Sequence, residues 1–166
     1  MLTDPPGGLR RQWCDGAGRS NHRSGGAATR WSTVAHPAAD PAGVRRAIAY
    51  IPENVALYEH LTARENVDYF LQLGGLRADQ AEMDAAFGAV GLAEEAWARS
   101  VSGFSKGLRQ KTAIALALLR RASVLLLDEP TSGLDPGASA DFNALVSRLR
   151  GEGAAILIVT HDLIGV

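Results

Sequence analysis

Apolar and polar positions alternate in two different rhythms along this chain. Val124-Leu125-Leu126-Leu127 is an unbroken apolar run between Ser123 and two adjacent carboxylates, Asp128 and Glu129. A run this short, closed by Pro130, predicts a strand buried on both faces. Ala155-Ile156-Leu157-Ile158-Val159 predicts a second buried strand, which Thr160-His161-Asp162 follows at once. Ala47 to Ile51 predicts a third, shorter strand ended by Pro52, with Glu53 just beyond. Between these runs the spacing is helical. Thr62-Ala63-Arg64-Glu65 is a capping box, followed by a stripe of Val67, Phe70 and Leu71 and stopped by Gly74-Gly75. A second helix is expected over about 78–90, with Ala81, Ala85 and Val90 on one side, and a short helical turn over 94–99. Ser105 is a good N-cap for a helix running to about Arg121, with Leu108, Ala115, Leu118 and Leu119 apolar. Asp135-Pro136 opens another, with Phe142, Leu145, Val146 and Leu149 inward and Gly151 at its end.

The first 35 residues have neither rhythm. Leu2, Leu9 and Val34 are their only branched aliphatics. Such a stretch buries too little apolar surface to offset its ordering entropy. Residues 1–40 are therefore expected to be a disordered or non-native segment, and 41–166 the folded domain.

Composition narrows the function classes. A chain of 166 residues with a net charge of -1 is one domain with room for a core. It has no apolar run long enough to span a membrane, and no apolar segment follows Met1 as a leader would require. The single Cys14 excludes an internal disulfide and a multi-cysteine metal site. Residues 1–35 carry +3, from five Arg and two Asp, which leaves -4 for the rest. The basic excess has no helical or aromatic-interleaved pattern, so no nucleic-acid partner is expected.

The candidate chemistry sits where the strands end. Buried charge is costly without a partner. Two acids at the exit of a buried strand call for one, and a metal ion with phosphate is the usual answer. In open parallel sheets, ligands gather at the carboxyl ends of the strands.

Four segments resemble one family. VLLLDEPTSGLD (124–135) resembles the Walker B strand and D-loop of the ATP-binding-cassette (ABC) ATPases. IAYIPENVALYEHLTARENVDYF (48–70) is similar to their Q-loop region, with Glu53 where Gln is usual. Glu can coordinate Mg²⁺ or a water but lacks the amide donor. VSGFSKGLRQ (101–110) resembles the signature motif, usually LSGGQ, with Lys106 and Leu108 in place of the commoner Gly and Gln. His161 matches the switch histidine, although a lone histidine after a strand is more often structural. A fifth segment, DGAGRS (15–20), resembles the NGAGKS core of the phosphate-binding loop. There Trp13 stands at the first glycine position and Arg19 at the lysine position. No apolar strand precedes it and no amphipathic helix follows, so an accidental glycine-rich match remains the alternative.

The resemblance implies an α/β fold: a partial P-loop NTPase-like parallel sheet with an inserted helical subdomain over about 60–100. It implies ATP and Mg²⁺ as cofactors and ATP hydrolysis by attack of water on the γ-phosphate. Asp128 would hold Mg²⁺ through water, Glu129 would accept the water's proton, and His161 would contact the γ-phosphate. Glu53 would sense the metal. Ser105, Lys106 and Gly107 would complete the nucleotide site of a second ATPase subunit, and Asp135 would cross the dimer interface. Gly18, Arg19 and Ser20 would be what remains of the phosphate cradle. The implied partners are that second subunit, identical or not, and a membrane-spanning permease contacted by the helical block. This places the chain in the cytoplasm, peripheral on the inner face of the membrane. The PEN text at 52–54 points to the ABC-2 exporters. The family's pattern would extend past both ends, so the expectation is an ATP-binding transporter subunit, present as a fragment with impaired nucleotide binding. The alternatives are a non-catalytic subunit that lends its signature face to an intact partner, and a non-enzymatic interaction module.

Overall fold

The computed structural model describes residues 40–161. The expectation for the N-terminal segment lies outside them. The first element is a helix that the hydrophobic pattern does not announce. Helix α1, Pro41–Ala47, buries no residue. Its start is encoded locally: the Asp40 carboxylate accepts the Gly43 N–H at 2.7 Å, with proline at the first helical position. The Asp-Pro pair at 40–41 is the same signal as the pair at 135–136.

Three strands follow, β1 (Ile48–Ile51), β2 (Val124–Asp128) and β3 (Ala155–Val159). They form one parallel sheet in the order β1-β2-β3. Tyr50 pairs with Leu126, and Leu126 with Leu157, while Asp128 pairs with Val159. The chain crosses from β1 to β2 through helices α2 (Ala63–Leu73), α3 (Gln80–Ala89), α4 (Glu94–Trp97) and α5 (Lys106–Leu119), with a 3₁₀ turn at Val101–Gly103. It returns to β3 through α6, Pro136–Gly151.

The sheet is not buried on both faces, as the apolar runs suggest. Ala49, Ile51, Leu125 and Leu127 are buried on one face, together with inward residues of α5 and α6 such as Ile114, Phe142 and Leu149. The opposite face carries Tyr50, Leu126, Leu157 and Val159. Tyr50 is 60% exposed, and Leu157 and Val159 are each 58% exposed. The described helices that pack on the sheet cover only one side, so the continuous hydrophobic run does not translate into two-sided burial.

Helix α2 begins as its capping box dictates. Thr62 accepts from the Glu65 N–H, and the Glu65 carboxylate accepts from the Thr62 N–H. Asp79 and Glu82 form the same reciprocal pair at the start of α3. The inward face of α3 differs from the expected one. Ala81 and Ala85 are exposed, while Met83, Ala86, Phe87 and Val90 are buried. Met83 and Phe87 lie one turn apart and bury far more apolar area than alanines can. Phe87 is fully buried, with its ring 5.6 Å from that of Trp97. The Arg64 guanidinium lies over both rings and pairs with Asp84.

The two ends of the helical block are tied to each other. Thr62 and Ser100 form an antiparallel bridge, in which the Ala63 N–H donates to Arg99 O and the Val101 N–H to Leu61 O. Helix α5 then packs against α2, α3 and β1, and it buries Gln110, Thr112, Ile114, Ala115, Ala117 and Leu118. It ends at Leu119, with Arg121 in the left-handed region (φ 55°).

Candidate functional site

Because the strands are parallel, their carboxyl ends share one edge of the sheet. Glu53, the pair Asp128-Glu129, and Thr160-His161 all lie at or just beyond strand ends there. Glu129 is the first residue beyond β2 and has a left-handed backbone (φ 44°). Only about 1–3 kcal/mol separates such a conformation from ordinary ones, but it needs support from its surroundings. The Glu129 N–H donates to Val159 O at 2.8 Å, continuing the sheet ladder by one bond.

The Glu129 carboxylate is held on three sides. Its Oε1 accepts the His161 main-chain N–H at 2.8 Å and lies 2.8 Å from His161 Nδ1. Its Oε2 accepts the Thr160 hydroxyl at 3.2 Å. The His161 contact holds the Glu129 carboxyl below the usual carboxylate range, aided by the other two donors and opposed by partial desolvation. The Glu129 side chain is 18% exposed and that of His161 79%. An ionised, fixed carboxylate thus meets an exposed imidazole at the sheet edge.

Asp128 has a partner that the sequence does not point to. The Tyr50 hydroxyl donates to Asp128 Oδ2 at 2.8 Å. The bond raises the tyrosine pKa, since the nearby carboxylate disfavours the phenolate. Tyr50 reaches Asp128 because it pairs with Leu126, two residues earlier on the same face of β2. Alternation along β1 was the available signal, but the register was not.

Glu53 is engaged within the chain. Its Oε1 accepts from Lys106 Nζ and from the Ser132 hydroxyl, both at 3.2 Å. Lys106 also donates to Ser132 O at 2.6 Å and to Glu129 O at 3.5 Å. Ser132 and Thr160 are contact residues that sequence reasoning left unassigned. Ser105 is exposed, and its hydroxyl caps α5 by accepting the Leu108 N–H at 3.4 Å. Among the described residues a Cβ on Gly107 would meet only Leu134 Cδ2, at 3.7 Å, an ordinary contact. Packing among the described residues therefore does not require glycine there. Asp135 caps α6 through the Ala138 N–H at 2.9 Å. Gly18, Arg19 and Ser20 lie outside the described residues, as does Asp162.

The donor set suits a hard cation. Mg²⁺ is typically bound by one or two carboxylates together with phosphate oxygens and water. Half-buried Asp128, at the carboxyl end of the central strand, is such a carboxylate. Among the described residues no three His, Cys, Asp or Glu side chains cluster as a self-sufficient metal site.

The ABC transporter family model matches residues 19–132. The chain belongs to the ABC transporter family. Two relatives are the ABC transporter ATP-binding protein NatA of Bacillus subtilis and the methionine import ATP-binding protein MetN of Leifsonia xyli. The first is 38% identical over 127 residues, which are 73% of this chain and 50% of NatA. The second is 38% identical over 124 residues, 73% of this chain and 36% of MetN. The chain thus spans no more than half the length of either. Among solved structures, it resembles cbiO1 of Clostridium perfringens, described as part of the ABC transporter complex cbiONQ. That match has a TM-score of 0.65 and 25% identity, and covers 74% of this chain and 50% of the other. A dimeric ATP-binding cassette in a post-hydrolysis state, bound to ADP and Pi, matches with a TM-score of 0.61 and 27% identity, over 72% of this chain and 55% of that one. The parallel sheet with helices between its strands is accordingly the ABC ATPase fold. No described helix is long and apolar enough to cross a membrane.

Proposed function

We propose that this chain is the ATP-binding subunit of an ABC transporter of the exporter-like type. It would act at the inner face of the membrane beside a permease and a second ATPase subunit. The observation that carries the reading is the Glu129 carboxylate, fixed by His161 and Thr160 next to Asp128 at the carboxyl edge of the sheet. Asp128 would hold Mg²⁺, which when bound supplies charge neutralisation for the triphosphate. Glu129 would take a proton from an attacking water; its ionised carboxylate, oriented by the Thr160-His161 segment, supports that role. The exposed His161 ring, held through Nδ1, would contact a terminal phosphate. Hydrolysis of this kind is mostly positioning and charge stabilisation.

Nucleotide binding by this chain alone is proposed to be impaired. Trp13 and Arg19 replace the glycine and lysine of the phosphate-binding pattern. A second reading has its own support. Ser105 is exposed at the N-terminus of a 14-residue helix, and among the described residues a Cβ at Gly107 would meet only Leu134, at 3.7 Å. Such a face suits the site of a partner with an intact cradle, and the chain would then be a non-catalytic subunit.

Calorimetric titration of the full chain with MgATP tests the proposal. Weak binding, weaker still in Asp128→Asn, is expected. Micromolar affinity would overturn the impairment. Magnesium-independent or undetectable binding at millimolar nucleotide would overturn the ATP-binding reading for the isolated chain. Stable association with an intact ATPase subunit would then favour the second reading.

A further inference from the structure

Lys106 stands at the start of α5, where the chain leaves the helical block, yet its side chain reaches back to the sheet edge. Its ammonium has three hydrogens and three acceptors: Ser132 O at 2.6 Å, Glu53 Oε1 at 3.2 Å and Glu129 O at 3.5 Å. The three acceptors come from the segment after β1 and from both ends of the turn after β2. That turn is closed by the Ser132 N–H, which donates to Glu129 O at 3.2 Å, and the Ser132 hydroxyl donates to the same Glu53 oxygen. One carboxylate and one ammonium therefore tie three motif segments together. Neither residue is the commoner one in its motif, and the two departures carry opposite charge.

We infer that Lys106 is a positioning residue: seated on Ser132 O, Glu53 Oε1 and Glu129 O, its ammonium holds the turn that presents the Glu129 carboxylate and couples that turn to the start of α5. The inference rests on the proposed role of Glu129 for its functional meaning, but not for its geometry.

The ion pair alone would not carry this. The side chains of Lys106 and Glu53 are 22% and 43% exposed, and pairs so accessible to water contribute little. The decisive contacts are the main-chain ones. Glu129 is a non-glycine residue at φ 44°, which folds back only while its neighbours hold it. The His161 and Thr160 contacts hold its side chain, and the Val159 bond holds its N–H. Lys106 adds a restraint on the carbonyls at the two ends of the turn, of which the Glu129 carbonyl also accepts the Ser132 N–H. A neutral side chain at 106 leaves both carbonyls without this donor and Glu53 without its cation.

Amide hydrogen exchange of the full chain without nucleotide tests this. In the native protein the Ser132 and Leu134 amides, which bond to Glu129 O and Thr131 O, mark closure of the turn. Lys106→Met should speed their exchange on the order of tenfold, the loss of a charged hydrogen bond, and leave the α3 amides unchanged. Lys106→Arg should restore slow exchange, and Glu53→Gln should give a smaller increase, because the two carbonyl contacts survive. Unchanged Ser132 exchange in Lys106→Met would overturn the inference. So would equal acceleration in α3, which would mean general destabilisation, or failure of Lys106→Arg to restore protection. No nucleotide enters the measurement. A chain that binds none leaves its outcome intact, and its failure leaves the ATP reading standing.

Discussion

The Tyr50 hydroxyl donates to Asp128 Oδ2 across 2.8 Å, from an edge strand of the sheet to the end of its central one. The proposed metal-holding carboxylate is therefore oriented from the exposed side of the sheet by a residue outside the motif that contains it. Removing the acceptor should be visible in the donor. Asp128→Asn is expected to lower the Tyr50 pKa toward its ordinary value of 10.0. The chain has three tyrosines, so an absorbance titration at alkaline pH should show one of three phenols moving to lower pH. The sign fixes the linkage: the Tyr50 bond contributes stability below pH 10 and loses it as pH rises through the folded-state value. An unmoved titration would mean that the hydroxyl does not meet Asp128 in solution.

Glu129 behaves in the opposite sense. Its folded-state pKa lies below the ordinary 4.5, chiefly because of the His161 contact. Its contribution to stability is present above pH 4.5 and is lost as pH falls through the folded value. Urea unfolding at several pH values between neutrality and the acid limit should show this loss. In His161→Ala the acid-side loss should shrink, because the first cause of the depression is gone while the Thr160 bond remains.

Gln110 is fully buried in α5, and neither atom of its amide finds a hydrogen-bond partner among the described residues. An unmet buried amide costs about 1–3 kcal/mol. Gln110→Met keeps the side-chain length and removes both polar atoms. It is expected to raise the urea midpoint by about 1 kcal/mol of stability without changing the slope. A lower midpoint would show that the amide is satisfied in solution.

Arg121 follows α5 at φ 55°, a conformation that suits glycine after a helix end. The left-handed region costs an L-residue roughly 1–2 kcal/mol. Arg121 is exposed, so Arg121→Gly removes little besides that strain. Thermal unfolding should show a gain of about 1 kcal/mol.

Where local rules decide, the residues could be read directly. Thr62 with Glu65, Ser105, and Asp135 with Pro136 each begin a helix where their side chains satisfy the first free N–H groups. The four apolar residues before Asp128 make the central strand. The grouping at the carboxyl edge was legible for the same reason, since parallel strands bring Glu53, Glu129 and His161 to one side. What could not be read depends on the whole assembly. Burial of Leu157 and Val159 depends on whether anything covers that face of the sheet. Met83 and Phe87 displaced Ala81 and Ala85 from the core because area, not spacing alone, decides which face turns inward. The reach of Lys106 to Ser132 depends on how the helical block lies against the sheet, which no short pattern states.

The bridge between Thr62 and Ser100 gives the helical block a common entrance and exit. Seen from the sheet, the chain departs and comes back at nearly one point, as in a loop drawn closed by its own neck. The register of β1 on β2 is then indifferent to what the excursion contains. Lengthening, shortening or replacing the segment inside the neck should leave the strand order standing, provided the two ends still pair and α5 still packs. A chain built this way can exchange the surface of its helical block without rebuilding the carboxyl edge of its sheet.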